Sequence, residues 1–152
     1  SDCRRVVDVS ALGAVEVLNL CDCPVMDVSA LGGVRQLCLD QCQIVDVSAL
    51  GTVTVLSLLG CEGVLDVSAL GKVTTLDLTQ CSRVVDVSAL GQVEELYLIR
   101  CDCVMDVSAL GGVRKLCLVH CACVSDVSAL GRVQELNLAY CRAVVDVSAL
   151  GG

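Results

Sequence analysis

The sequence predicts an α/β-type repeat solenoid, in which one short structural unit stacks on itself along the whole chain. Three observations predict this fold: a motif at fixed spacing, leucines that alternate with outward positions, and a scarcity of aromatic residues. The hexapeptide DVSALG occurs eight times in 152 residues, and successive copies begin 19, 19, 20, 20, 20, 20 and 20 residues apart. Self-similarity at a period of about 20 residues is typical of stacked repeats.

The segment V-T-V-L-S-L, residues 53–58, shows the strand of the unit. Leu56 and Leu58 alternate with Val55 and Ser57, which is the period of two expected of a strand with one buried face. Equivalent segments begin at Val15, Val34, Val73, Val93, Val113 and Val133. The sequence therefore predicts seven short parallel strands, each stable only when stacked on its neighbours.

The stretch D-V-S-A-L predicts one tight 3-10 or single α-helical turn on the outer side of each unit. About a dozen residues connect successive strands, too few for a long helix and its turns. Asp is a favoured N-cap, and we expect its carboxylate to accept the N–H groups of the following Ser and Ala. The Gly after Leu is expected to end the turn in a strained conformation.

The predicted core is narrow and uniform, because the chain is 55% hydrophobic yet has no Trp, no Phe and only two Tyr. Cysteine recurs in one slot of each unit, three residues after the last buried Leu, and we expect these thiols to form a buried ladder. Its members are Cys3, Cys23, Cys42, Cys61, Cys81, Cys101, Cys121 and Cys141. The others are Cys21, Cys38, Cys103, Cys117 and Cys123; Cys38 and Cys117 are expected to point outward, and spacing from Leu20 favours Cys23 over Cys21 in the ladder.

A disulfide framework is the alternative interpretation of thirteen cysteines. The odd count and the regular ladder argue against it, and they favour a reducing, intracellular environment. Metal sites are weaker hypotheses. His120 lies beside Cys121 and Cys123 without zinc-type spacing, and the aspartate column lacks the clustered carboxylates of calcium-binding repeats, so capping is favoured over calcium. We expect no cofactor and no metal.

The unit V-x-x-L-x-L-x-x-C resembles the LxxLxLxxN pattern of the leucine-rich-repeat family, with Cys where that family has Asn. The match covers essentially the whole chain. D-V-S-A-L is similar to the D-I-S-x-L step of internalin-like and some protist members. The resemblance implies a right-handed coil with a parallel sheet on its concave face and short 3-10 or single-turn helices on its convex face. In that family the Asn bonds backbone in the turn after the strand; here we expect burial of the thiol to replace that bond.

The outward strand positions vary from copy to copy while the framework hardly changes, which makes them the candidate binding face. Both tyrosines and the one histidine fall in the last three strands, and Tyr and Arg are enriched at binding hot spots. Glu16–Arg35, Glu94–Arg114 and the series Glu95–Lys115–Glu135 are expected to pair across strands. The candidate residues are Arg35, Gln36, Thr75, Asp77, Glu95, Tyr97, Ile99, Arg100, Arg114, Lys115, Val119, His120 and Tyr140.

These observations predict a non-enzymatic protein-binding or scaffolding module; the alternative is a structural or self-assembling array, natural or engineered, with no specific ligand. No catalytic triad, phosphate loop or dinucleotide motif can be assembled. The net charge of −8 resides in the eight repeat aspartates, and no basic stripe suggests nucleic acid. No apolar run could span a membrane. We expect residues 1–152 to form a single array of seven full repeats with partial, uncapped ends that could associate.

A longer period is superimposed on the unit. C-D-C-P-V-M from Cys21 returns as C-D-C-V-M from Cys101, and both are followed by D-V-S-A-L-G-G-V-R. This pattern indicates duplication of a four-unit block with the gain or loss of one residue, as gene duplication produces.

Overall fold

The computed structural model describes residues 6–151, and there the chain forms seven short strands in one parallel sheet. The strands follow the predicted segments but comprise only three residues each. They are β1 Val17–Asn19, β2 Gln36–Cys38, β3 Val55–Ser57, β4 Thr75–Asp77, β5 Glu95–Tyr97, β6 Lys115–Cys117 and β7 Glu135–Asn137. Each strand pairs with the next along the chain, so sheet order equals sequence order. We call the twenty-residue turn of chain around each strand a coil.

The register of the sheet is set by its central leucines. Leu18 aligns with Leu37, and Leu37 with Leu56, although the two shorter coils are 19 residues long. The residue that the shorter coils lack lies after the ladder cysteine. In the longer coils a four-residue turn follows that cysteine, closed by a bond such as that from the Val64 N–H to the Cys61 carbonyl, and the shorter coils lack this bond. Val25 and Ile44 are nevertheless completely buried. A deletion in this turn therefore leaves both the sheet and the core unchanged.

Seven of the DVSALG copies form the predicted 3-10 turn on the side away from the sheet. The turns span Ser29–Gly33, Ser48–Leu50, Ser68–Leu70, Ser88–Leu90, Ser108–Gly112, Ser128–Leu130 and Ser148–Leu150. The first copy makes the same bond, from Leu12 N–H to the Val9 carbonyl.

The repeat aspartates brace these turns from one position before the cap. In all eight copies the carboxylate accepts the N–H of the Ser two residues on, at 2.9 Å for Asp66 and Ser68. The N-cap itself is the intervening Val, so the expected N-cap assignment is wrong, as is the expected bond to Ala. Hydrogen bonds from Ser hold the pKa of every one of these carboxyls below its usual value.

The glycine after each turn is needed for close packing between coils, and the expected strained conformation is wrong. Gly71 has φ −62° and ψ −9°, which any residue can adopt. A Cβ at Gly71 would instead overlap the backbone carbonyl oxygen of Ala89 in the next coil, and Gly51 meets Ala69 in the same way. The motif therefore ends in Gly because adjacent coils approach closely there.

The core is a stack of equivalent layers. The coil of β3 contributes a typical set of buried side chains, all at most 1% exposed: Leu56, Leu58, Cys61, Val64, Val67, Leu70 and Val73. Because every layer repeats the same shapes, no aromatic ring is needed to fill an irregular gap.

The thiols of the described ladder cysteines are buried as predicted. In the first described coil the ladder member is Cys23 rather than Cys21. Cys3 lies outside the described residues. The thiols also do more than fill space: Cys61 Sγ donates to the Leu39 carbonyl of the preceding coil at 3.1 Å, and the bond recurs at Cys42, Cys81, Cys101, Cys121 and Cys141. The expectation that burial replaces a polar bond is therefore incomplete, because each of these six thiols adds a hydrogen bond to a carbonyl just after a strand.

We expect the ladder to make the fold sensitive to alkali. Burial raises the pKa of Cys61, Cys81 and Cys121 to about 12, against 9.0 ordinarily. Above pH 9 the unfolded chain releases these protons while the folded chain retains them, so stability falls as pH rises. Each thiol contributes a slope of about 1.4 kcal/mol per pH unit. Urea unfolding between pH 8 and 10.5 measures how steeply the free energy of unfolding falls with pH. In Cys81→Ala this fall should be less steep than in the parent chain, by the contribution of one thiol. An unchanged slope would contradict the linkage.

Candidate functional site

The candidate site is the sheet face, meaning the side chains that point to solvent from the strands and from the three residues that follow each. All thirteen predicted residues lie on the surface of this region or at its edge, and none is buried. Six are exposed: Arg35, Gln36, Arg100, Arg114, His120 and Tyr140. The other seven are half-buried, because neighbouring coils flank them.

The coils of β5, β6 and β7 bring five polar side chains into one network. Arg114 reaches Glu95 at 2.6 Å and Glu135 at 3.8 Å, and Lys115 reaches Glu135 at 3.5 Å. The Tyr97 hydroxyl donates to Glu95 at 3.3 Å, and Lys115 Nζ lies 5.8 Å from the Tyr97 ring centroid. Tyr97 and then Glu135 raise the pKa of Lys115. The network holds an amphipathic ring in a fixed position among paired charges.

Of the ion pairs expected between neighbouring strands, one is present as predicted and two have different partners. Glu16 pairs with Arg35 at 3.1 Å as predicted. Arg114, however, crosses diagonally to Glu95 and Glu135 rather than pairing with Glu94, and Glu95 is held by Arg114 rather than by Lys115. The expectation for Glu94 is therefore wrong, because the extended guanidinium spans two strand positions.

The last residues of the candidate set form a column at the edge of the sheet face. The position before each ladder cysteine has positive φ, from 58° to 70°, in Asp22, Gln41, Gly60, Gln80, Arg100, His120 and Tyr140. This left-handed backbone reverses the chain after each strand. In the last two coils the His120 and Tyr140 rings stack at 4.4 Å between centroids and 5° between planes. The exposed end of this column is therefore an ordered aromatic pair beside Arg100.

Because only glycine takes positive φ without penalty, Gln80→Gly is expected to stabilise the fold. The free energy of unfolding should rise by roughly 0.5–1 kcal/mol. This is the cost of positive φ for a residue other than glycine, less the extra conformational entropy that glycine loses on folding. Chemical denaturation of Gln80→Gly beside Gln92→Gly measures it, since Gln92 is also exposed but lacks positive φ. Gln92→Gly should destabilise; equal effects at both positions would show that the conformation of Gln80 carries no strain.

The predicted set therefore divides into two groups. Glu95, Tyr97, Arg114, Lys115, His120 and Tyr140 make side-chain contacts within the last three coils. Gln36 lies on β2 and Arg35 directly precedes it, three strands from β5 and so about 14 Å away at the usual strand spacing. Thr75 and Asp77 lie on β4, between β2 and β5, where the Asp77 carboxylate accepts the Thr79 N–H at 2.8 Å. Ile99 and Arg100 follow β5, and Val119 follows β6.

Two features of the surface were missed by sequence reasoning. Asp40, a varied position, accepts the Ser57 hydroxyl and the Leu59 N–H of the next coil. An exposed apolar stripe also runs beside the repeat aspartates on the side away from the sheet. Its members precede the aspartates and are Val7, Met26, Val45, Leu65, Val85, Met105 and Val145. The signal was available, because the residue before DVSALG is apolar in seven of eight copies.

The cysteines outside the ladder occupy the surface. Cys38 and Cys117 are half-buried on their strands as predicted, and Cys103 and Cys123 are exposed. Cys21 and Cys38 form a disulfide with Cα atoms 6.0 Å apart, so within residues 6–151 one disulfide accompanies the ladder. Asp40 lies close to both sulfurs; as a disulfide, they are not thiolate metal ligands. His120, Cys121 and Cys123 do not converge: Cys121 donates inward to Leu98, and His120 stacks on Tyr140.

Within residues 6–151, no helix has the length and apolar character needed to cross a membrane.

The fold is similar to three solved structures from Listeria monocytogenes. An internalin (inlF) of strain 4b F2365 has a TM-score of 0.64 and 15% identity, over 95% of this chain and 54% of that one. An internalin C2 (inlC2) of the same strain has a TM-score of 0.66 and 23% identity, over 96% of this chain and 80% of that one. The functional domain of InlJ, which includes a cysteine ladder, has a TM-score of 0.61 and 22% identity, over 84% of this chain and 30% of that one. This chain thus spans about half the length of the inlF structure.

No protein-family model and no curated protein sequence matches the chain. The seven parallel strands, the 3-10 turns and the internalin structures together show a leucine-rich-repeat fold with a cysteine ladder.

Proposed function

We propose that this leucine-rich-repeat solenoid is a non-enzymatic protein-binding module that uses the sheet face of its last three coils. The observation that carries the proposal is the contrast between a constant framework and varied outward residues. Arg114, Lys115 and Tyr97 are held in place by Glu95 and Glu135, so they are ordered before a partner arrives. Ordered side chains lose little conformational entropy on binding, which favours affinity.

The chemistry of this region suits a protein surface more than a small molecule. Tyr97, His120 and Tyr140 offer amphipathic rings, and Arg100 adds a cation at the edge. Tyrosine and arginine are the residue types that dominate the energetics of protein interfaces. The partner we propose therefore presents apolar or aromatic side chains together with carboxylates that can pair with Arg100 and Arg114.

A displayed library of unselected helical and loop peptides provides the test. Binders selected on the whole chain should lose about 30-fold or more in affinity with Tyr97→Ala or Tyr140→Ala, the effect of a hot-spot residue. Val85→Ala and Met105→Ala, on the exposed apolar stripe, should leave binding unchanged. Binders that respond to the stripe variants but not to the tyrosine variants would overturn the assignment of the sheet face.

Self-association is the alternative function, and the charge of the chain opposes it. Eight exposed aspartates are ionised at neutral pH, with pKa values below the usual one, and the net charge is −8. Like-charged surfaces repel at low salt and less so when salt screens them. Sedimentation at increasing concentration in low salt should therefore give the mass of one chain; concentration-dependent growth of mass would support the self-assembling array.

A further inference from the structure

Two exposed cysteines occupy the same slot of consecutive coils. Cys103 and Cys123 each lie two residues after a ladder cysteine, and both are solvent-exposed thiols. The turns that carry them are alike: the Val104 N–H donates to the Cys101 carbonyl at 3.1 Å, and the Val124 N–H to the Cys121 carbonyl at 3.4 Å. The two thiols therefore stand on matching turns, twenty residues apart in sequence.

The coils on which they stand are held in register on both sides of the turn. Before it, the Arg100 N–H donates to the Val119 carbonyl at 2.9 Å, and the Cys121 thiol donates to the Leu98 carbonyl. After it, Val104 and Val124 are completely buried in the same core. Matching positions on stacked coils are about 4.8 Å apart where the coils keep the usual spacing of adjacent strands. That separation lies within the range of disulfides, about 4.4–6.8 Å.

The duplicated block accounts for the position of Cys103. In the first block the ladder member is Cys23, and the additional cysteine, Cys21, precedes it and is bonded to Cys38 of the next coil. In the second block Ile99 and Arg100 stand between Leu98 and the C-D-C sequence, so Cys101 takes the ladder slot and the additional cysteine becomes Cys103. In the next coil Cys123 stands beside it. Each block thus sets one surface cysteine against another on the adjoining coil.

We propose that Cys103 and Cys123 form a reversible disulfide between coils, made by exchange with a low-molecular-weight disulfide such as oxidised glutathione. The thiolate of one cysteine attacks the glutathione disulfide, forms a mixed disulfide and releases one glutathione. The second thiolate then attacks the protein sulfur of that mixed disulfide and releases the other. Two protein thiols are oxidised, one glutathione disulfide is reduced to two thiols, and the two protons pass to the departing glutathiones.

The other thiols are poor competitors for this reaction. Ladder thiols such as Cys121 are buried, and their raised pKa keeps them protonated. Cys117 is half-buried on β6 between Tyr97 and Asn137, so no cysteine faces it across the sheet. It provides a matched control, since it belongs to the same coil as Cys123.

The test is peptide mapping of the whole chain after reduction, removal of the reductant and equilibration with oxidised glutathione. After alkylation in denaturant, trypsin releases residues 101–114 and 116–132 as separate peptides. We expect these two to be joined through Cys103 and Cys123, with no glutathione retained and with monomeric mobility on a non-reducing gel. The linkage should persist in Cys117→Ser. It should disappear in Cys103→Ser and Cys123→Ser, each leaving one glutathione adduct on the remaining cysteine.

The proposal would be overturned by glutathione adducts on both Cys103 and Cys123 of the unmodified chain, which would show that the thiols cannot reach each other. Linkage through Cys117, or a dimer held by either cysteine, would overturn it equally. Because Cys103→Ser and Cys123→Ser change only exposed side chains, their circular dichroism and unfolding midpoints should match the parent chain in reductant. The outcome is independent of whether the sheet face binds a protein.

Discussion

Leu96→Ala is expected to lower the free energy of unfolding by about 2–5 kcal/mol, the range for a large buried side chain cut back to alanine. Leu96 is the central residue of β5, is completely buried, and is aligned between Leu76 and Leu116. The cavity would lie between two fixed layers, since both neighbouring coils are held by inter-coil backbone bonds. Little relaxation can fill it, so we expect the upper half of that range. Urea unfolding followed by circular dichroism measures the effect.

Leu65→Ala is the matched control, because Leu65 is 46% exposed and belongs to the apolar stripe. The same atoms are removed from a side chain that is already largely hydrated, so the loss should be a small fraction of that at Leu96. Equal losses at the two positions would contradict the layered core described above.

Gly71→Ala is expected to destabilise the fold by about 1–3 kcal/mol, the usual cost of an overpacked site. The new methyl group would overlap the Ala89 carbonyl oxygen, which belongs to the backbone of the next coil and cannot rotate away. The two coils must therefore separate locally, which weakens the packing of Leu70 on Leu90 beneath them. Thermal and urea unfolding measure the loss.

The control for this substitution is Gly151→Ala, where the nearest non-neighbouring atom would be 3.8 Å from the added Cβ. A tolerated Gly→Ala change reduces the entropy of the unfolded chain and stabilises by about 0.4–1 kcal/mol. The two substitutions should thus have opposite signs. If Gly71→Ala also stabilises, close approach between coils is not the reason for glycine in the motif.

The layered fold could be predicted because each layer repeats one pattern eight times. The inward positions of Leu56, Leu58 and Cys61 follow from period-two alternation and from spacing that recurs in every copy. The choice of Cys23 over Cys21 followed from the same count. The location of the 3-10 turns needed only the short return path and the D-V-S-A-L motif.

Other features could not be predicted, because they depend on contacts between coils rather than within them. The role of Gly71 is visible only against Ala89 of the next coil, and the Cys61 thiol bond only against Leu39 of the preceding one. The positive φ at Gln80, Arg100 and Tyr140 carries no residue signature, since only Gly60 in that column is glycine. The Arg114 ion pairs depend on side-chain reach across strands, which register alone does not determine.

The equivalence of the layers makes the chain divisible into interchangeable lengths. Excision of residues 67–86 would join Asp66 to Val87 and restore the D-V-S-A-L motif, with the coil of β3 resting on that of β5 through the same kinds of contact. Val55 would then lie beside Glu95 in place of Thr75. Unequal recombination between copies of the repeat would therefore change the outward combination of side chains in one step while conserving the interior, so the architecture that stabilises the rod also supplies a means of diversifying its surface.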